Sequence, residues 1–182
     1  MKVSAGFSLL ELMVVITIVA VLMALGVPSY RYVTNSNRVS AEVNALLGDL
    51  QFARSEAIKE GATVTVCPTS DPTANLPICN PASSEWDKGW IVTSPTVTPN
   101  VLRIQQAFAN TNDTFMSVGN QKSITFDRNG FANATPALSS AGVTIILKTA
   151  PTATSTAWTR CVEIERGGMI GTVRYKQDIR CQ

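Results

Sequence analysis

Apolar residues crowd the start of the chain and then settle into two different rhythms. From Leu12 to Val27 the sequence LMVVITIVAVLMALGV carries no charge, and the apolar run reaches back to Phe7 across one charged residue, Glu11. About 20 apolar residues rising 1.5 Å each cross a bilayer's hydrocarbon core, so this segment predicts a membrane helix. A secretory signal peptide has a shorter apolar run followed by an A-x-A cut site. Here no such site follows, and the chain passes Pro28 and continues with helical spacing. Val39, Val43, Leu46, Leu47, Leu50, Ala53, Ala57 and Ile58 fall on one stripe, with Arg38, Glu42, Asp49 and Glu60 on the other side. Gly61 is a natural stop. The pattern predicts one helix from Phe7 to Glu60, apolar all round in its first half and amphipathic in its second. A break is expected at Gly26 and Pro28, because an interior proline loses one backbone hydrogen bond and crowds the preceding turn, inviting a kink or local melting.

Beyond Gly61 the period shortens. Ala62–Cys67, Gly89–Ser94, Val101–Phe108, Ser123–Phe126, Val143–Thr149 and Cys161–Ile164 are short β-rich runs separated by Pro, Gly, Asn and Ser clusters. Residues 68–84 carry four prolines and predict an irregular loop. Residues 133–142 and 150–157, rich in Ala, Thr and Ser, read as exposed connectors. Asn129-Gly130 signals a hairpin. The fold class expected is α+β, a long N-terminal helix packed on an antiparallel β-rich domain.

Composition narrows the chemistry. The chain of 182 residues has 15 Lys+Arg, 13 Asp+Glu and no His, and its 15% charged fraction is well below the roughly 25% of a soluble domain. Without His, His-dependent triads, HExxH metalloproteases and Cys2His2 zinc sites are excluded. No P-loop, G-x-S-x-G or dinucleotide fingerprint is present, and Asp71, Glu85 and Asp87 have no recognisable catalytic partner. No enzyme, metal or cofactor is expected. A net charge of +2 excludes bulk coating of nucleic acid, but residues 1–121 carry net −2 and residues 122–182 net +4. Arg160, Arg166, Arg174, Lys176 and Arg180 form the basic part of that tail.

Glu11 is the anomaly of the apolar helix, since a carboxylate in hydrocarbon costs several kcal/mol and marks a functional site. No Lys or Arg lies between Lys2 and Arg31. Either Glu11 stays hydrated near the interface or it pairs with a cation from elsewhere. Cleavage after Gly6 would supply one, the new α-amino group of Phe7, four residues or one turn away.

Gly6-Phe7-Ser8-Leu9-Leu10-Glu11, behind a short basic leader and ahead of the apolar run, resembles the class III signal of type IV prepilins and type II secretion pseudopilins. The resemblance implies cleavage between Gly6 and Phe7 by a prepilin peptidase, N-methylation of Phe7, and pairing of Glu11 with a neighbouring subunit's N-terminal amine. Ser8 stands where the family usually has Thr, and Pro28 matches its mid-helix proline. Gln51-Phe52-Ala53-Arg54-Ser55-Glu56-Ala57 resembles the Q-x-A-R-S-E-A stretch of FimT/GspH-type minor pilins. Trp86-Asp87-Lys88-Gly89-Trp90 resembles their W-x-x-G-W, and Phe126-Asp127-Arg128-Asn129-Gly130 their F-x-x-x-G hairpin. Three segments are therefore expected: a leader, 1–6; a transmembrane and assembly helix, 7–28; and a periplasmic pilin domain, 29–182. Lys2 at the cytoplasmic end agrees with the positive-inside rule. The implied partners are other major and minor pilins, the peptidase and N-methyltransferase, and an inner-membrane assembly platform.

Four cysteines allow three pairings. The local pairing joins Cys67 to Cys79, stapling the Pro-rich loop, and Cys161 to Cys181, pinning the tail, as suits an oxidising compartment. Some FimT-type pilins bind DNA through a basic tail carrying G-R-x-R. This chain has Gly171-Thr172-Val173-Arg174-Tyr175-Lys176 and lacks the first Arg of that motif. Arg166, Arg174, Lys176 and Arg180 are the candidate contacts to double-stranded DNA, diluted by Glu163, Glu165 and Asp178. The expected role is a minor pilin of a type IV pilus, with a type II secretion pseudopilin and a DNA-uptake pilin as alternatives.

Overall fold

The computed structural model describes residues 8–98, 100–109, 113–136, 143–149 and 159–174. The chain divides into two compact units, residues 1–38 and 39–182. Helix α1 runs without interruption from Leu9 to Glu60. Gly26 and Pro28 both lie inside α1, so the helix does not melt at the break expected there.

In the first unit the side chains from Leu9 to Val27 are exposed. This stretch is long and apolar enough to cross a membrane by length and composition. Such all-round apolarity has no aqueous use, and a lipid or protein surround is its physical complement.

Among the described residues the second unit holds nine strands: β1 (Val64–Pro68), β2 (Trp90–Thr93), β3 (Val101–Gln105), β4 (Asp113–Val118), β5 (Ser123–Phe126), β6 (Ala132–Thr135), β7 (Val143–Thr149), β8 (Arg160–Ile164) and β9 (Ile170–Arg174). They form two antiparallel sheets, ordered β3-β2-β1-β5-β6 and β4-β7-β8-β9. The six expected strands are present within a few residues of the boundaries read from sequence. Strands β4, β6 and β9 were not among them. β6 replaces the first part of the connector expected at 133–142. The rest of that connector beyond Pro136, and residues 150–157, lie outside the described residues.

The amphipathic half of α1 supplies one wall of the core. Val39, Val43, Leu46, Leu50, Ala53 and Ala57 are buried against Val64, Val66, Trp86, Trp90, Ile124, Phe126, Ile145, Val162 and Ile164, drawn from both sheets. Leu47 is only half-buried and Ile58 is exposed, so the stripe is narrower than the apolar pattern alone implied. Trp90, Phe108 and Phe115 meet as an aromatic cluster, with Phe108 stacked on Phe115 at 5.6 Å between centroids and Trp90 edge-on to both.

Turn chemistry closes the sheets. The hairpin read from Asn129-Gly130 joins β5 to β6, and Asp127 Oδ1 accepts the N–H groups of Asn129 (2.8 Å) and Phe131 (3.0 Å). The N–H of Ala132 donates to Arg166 O at 2.9 Å and ties β6 of the first sheet to the β8–β9 turn of the second. On the far side, Trp86 N–H donates to Phe115 O and Glu85 bridges Met116, which covers the β4 edge.

Candidate functional site

Gly6 and Phe7 lie outside the described residues, so the site begins at Ser8. Ser8 precedes the first helical residue, and its Oγ accepts the N–H of Glu11 at 3.2 Å. This is an N-cap in the S-x-x-E pattern, and it places Glu11 in the first turn of α1. The signal was present in the sequence as Ser8-Leu9-Leu10-Glu11 but was read there only as a departure from Thr. A threonine hydroxyl would cap the helix in the same way, which makes Ser8 a chemical equivalent. Glu11 stands exposed on a surface that is otherwise uncharged through Val27.

At the other end of α1, the Q-x-A-R-S-E-A stretch meets two turns far away in sequence. Arg54 Nη2 lies 3.4 Å from Gly167 O, while Arg54 Nε is buried without a hydrogen-bond partner among the described residues. A Cβ added at Gly168 would lie 2.0 Å from Gly130 O and 2.9 Å from Arg54 Nε, and Gly168 has φ +75°. The glycine is therefore required both for its backbone conformation and for the close approach of the two turns. Two of the three motifs that resembled minor pilins thus touch one another in space.

The third motif has a similar cause. Gly89, at φ +105°, has Gln105 O only 2.6 Å from where a Cβ would sit, so W-x-x-G-W needs its glycine for β3 to pass alongside β2. Its tryptophans are fully buried. Trp86 Nε1 donates to Gln121 O at 3.3 Å, and Trp90 Nε1 donates to Asp49 Oδ2 at 2.9 Å.

Asp49 corrects the sequence reading, which put it on the solvent side of the helix. It is 8% exposed. Its second oxygen accepts Arg103 Nη1 at 3.2 Å, and the Arg103 guanidinium lies 3.7 Å from the centroid of the Phe52 ring. One carboxylate therefore joins α1 to β2 and β3. Glu60 performs a smaller version of this at the helix end, where the hydroxyls of Ser94 and Thr96 donate to it and hold its carboxyl below the ordinary glutamate range. That contribution is present above the ordinary glutamate pKa and is lost as pH falls through the lowered folded value.

Cys67 and Cys79 are bonded, with Cα atoms 5.4 Å apart, and staple the Pro-rich loop as the local pairing expected. A link of this span stabilises by about 3 kcal/mol in the chain-entropy account. Cys161 is also disulfide-bonded; its expected partner Cys181 lies outside the described residues. Among the described residues no group of three or more His, Cys, Asp or Glu is placed to hold a metal.

Of the basic tail, Arg160 and Arg174 stand directly opposite on β8 and β9, and Arg166 lies in the turn between these strands. The hairpin thus gathers three of the five cations. Lys176 and Arg180 lie outside the described residues. Glu163 shares β8 and Glu165 shares the turn, so the local charge is mixed.

The family model described as Type II transport protein GspH matches residues 42–168, and that of the prokaryotic N-terminal methylation motif matches residues 1–27. No curated protein matches the chain. Among solved structures, the type IV minor pilin FimU of Pseudomonas aeruginosa strain PAO1 is similar in one crystal form with a TM-score of 0.56 at 19% identity, over 84% of this chain and 99% of that one. A second crystal form of FimU gives 0.52 at 20% identity, over 79% and 98%. The likeness is one of fold: a long N-terminal helix followed by an antiparallel β domain.

Proposed function

The chain belongs to the GspH family, and from that membership we propose that it is a minor pilin built into a type IV pilus, in a tip or priming complex. It is a pilin-like protein with an N-methylation motif and, among the described residues, one helix long and apolar enough to cross a membrane. In this reading it is cleaved between Gly6 and Phe7, N-methylated at Phe7, and anchored in the inner membrane with its β domain in the periplasm until it enters the filament. The observation that carries assembly is Glu11, one carboxylate in the first turn of a helix whose exposed surface is otherwise uncharged through Val27. A neighbour's α-amino group satisfies it, and the apolar helices bury one another.

The choice of a pilus draws support from the likeness to FimU. The description of the matched family favours a second reading, a pseudopilin of a type II secretion system. Deletion of the gene in its host separates them. Loss of surface pili with normal export of secreted proteins is the expected result. Intact pili with secreted proteins retained in the periplasm would replace the pilus with the secretion system.

A DNA-uptake role is a third reading, supported by Arg160, Arg166 and Arg174 on one hairpin. If the tail binds duplex DNA, affinity falls steeply with salt, because each phosphate contact releases counterions. Titration of the protein with duplex DNA is expected to show binding at low salt that Arg174→Ala with Lys176→Ala weakens about tenfold or more. No binding at low salt, or binding indifferent to those substitutions, excludes this role.

A further inference from the structure

Where α1 passes the start of β9, Gln51, Arg54, Ser55 and Ile58 face Gly168 and Ile170 across a cavity of about 300 Å³. We propose that this cleft receives a carboxylate carried beside an aliphatic group, presented by a neighbouring pilin-like subunit. Among the described residues Arg54 is the one cation lining it. Its guanidinium has five donors, and the described residues engage one of them, through the 3.4 Å contact to Gly167 O. The Nε end is buried beside Gly130 and Gly168, so the planar fork is held in place before any ligand arrives. Gln51, one turn earlier on the same wall, adds amide donors. Ile58 and Ile170 supply the apolar side.

This pairing of one cation with two branched aliphatic walls selects the ligand. A carboxylate matches the fork in plane and charge, and an adjoining Leu-, Ile- or Val-like group covers the isoleucines. A phosphodiester would need further cations and would leave the apolar wall wet. The carboxylate's source rests on the assembly reading above, whereas the chemistry of the cleft does not.

Two measurements on the full chain in detergent micelles and in its host membrane test this separately. In the first, 4-methylpentanoate is titrated while the Arg54 Nε–Hε resonance is followed. A saturable shift with a dissociation constant on the order of millimolar is expected. Acetate should bind at least fivefold more weakly, and 4-methylpentanamide should cause no shift. Ser55→Leu, a substitution at an exposed helix position that fills the cleft without touching Arg54, should weaken binding tenfold or more while the melting temperature is kept. Absence of the shift, an equal shift with the neutral amide, or equal affinity for inorganic phosphate overturns the proposal. In the second, a photo-crosslinking residue replaces Gln51 in cells expressing the cognate pilins. An adduct on a pilin-like subunit, at an Asp or Glu next to an aliphatic residue, supports the named partner. Probe binding without such an adduct overturns the partner and leaves the cleft's chemistry standing; neither result depends on Glu11.

Discussion

Glu11→Ala is expected to leave the protein in the membrane and remove it from filaments. The two halves of that result have opposite physical causes. A carboxylate in a membrane helix costs about 2.5–3.5 kcal/mol at the centre and less in the first turn, where Glu11 stands, so its removal makes insertion no harder. In the proposed assembly the same carboxylate is what a neighbour's α-amino group meets in a low-dielectric surround. Deleting one partner of such a pair strands the other, at about 3–5 kcal/mol, which is a factor of 10² or more in incorporation. The comparison is between membrane and sheared-filament fractions by immunoblot, with Glu11→Gln falling between because it keeps a hydrogen-bond acceptor but no charge. Incorporation of Glu11→Ala at the wild-type level would refute the pairing.

Asp49→Ala acts on the other unit of the chain. Trp90 is fully buried and its indole N–H has Asp49 as its partner, so truncation strands a donor in the core and also removes the carboxylate from Arg103. Arg103 is half exposed and can rehydrate, so most of the cost falls on Trp90. An unsatisfied buried donor together with the lost charge-assisted bond amounts to about 2–4 kcal/mol. For a unit of this size that lowers the melting temperature by about 5–15 °C. Asp49→Asn keeps an acceptor at nearly the same volume and should lose less than half as much. A melting temperature for Asp49→Ala within about 2 °C of the parent would show that the network contributes no stability.

Asp49 also shows where sequence patterning stops. It stands three residues after Leu46 and four before Ala53, at the edge of the buried stripe, and is covered because Trp90 and Arg103 reach it from strands 41 and 54 residues later. The helix itself and the two-halved pattern were legible, since periodicity is local. The strands that escaped have physical reasons to do so. In β4 the inward positions are Asp113, Phe115 and Ser117, so two of three core-facing residues are polar and no apolar alternation shows. In β6 the inward residues are Ala132 and Ala134, too small to register as β-formers. In β9 Gly171 interrupts the run. The contact of Arg54 with Gly167 spans 113 residues, so the motifs could be recognised one by one while their meeting could not.

The cap at Ser8 has a bearing on the order in which a filament is put together. It fixes the helix start at Leu9, two residues after Phe7 in sequence, so an ammonium released by the proposed cleavage follows the chain into a helix terminus whose unpaired N–H groups carry positive charge of their own. Its own chain is a poor home for it. Under the proposed processing each subunit carries a cation that its own helix end disfavours and a carboxylate that hydrocarbon disfavours. A stack of staggered parallel helices can bring the two together, which makes every added subunit both the answer to the last one's electrostatic discomfort and the source of the next.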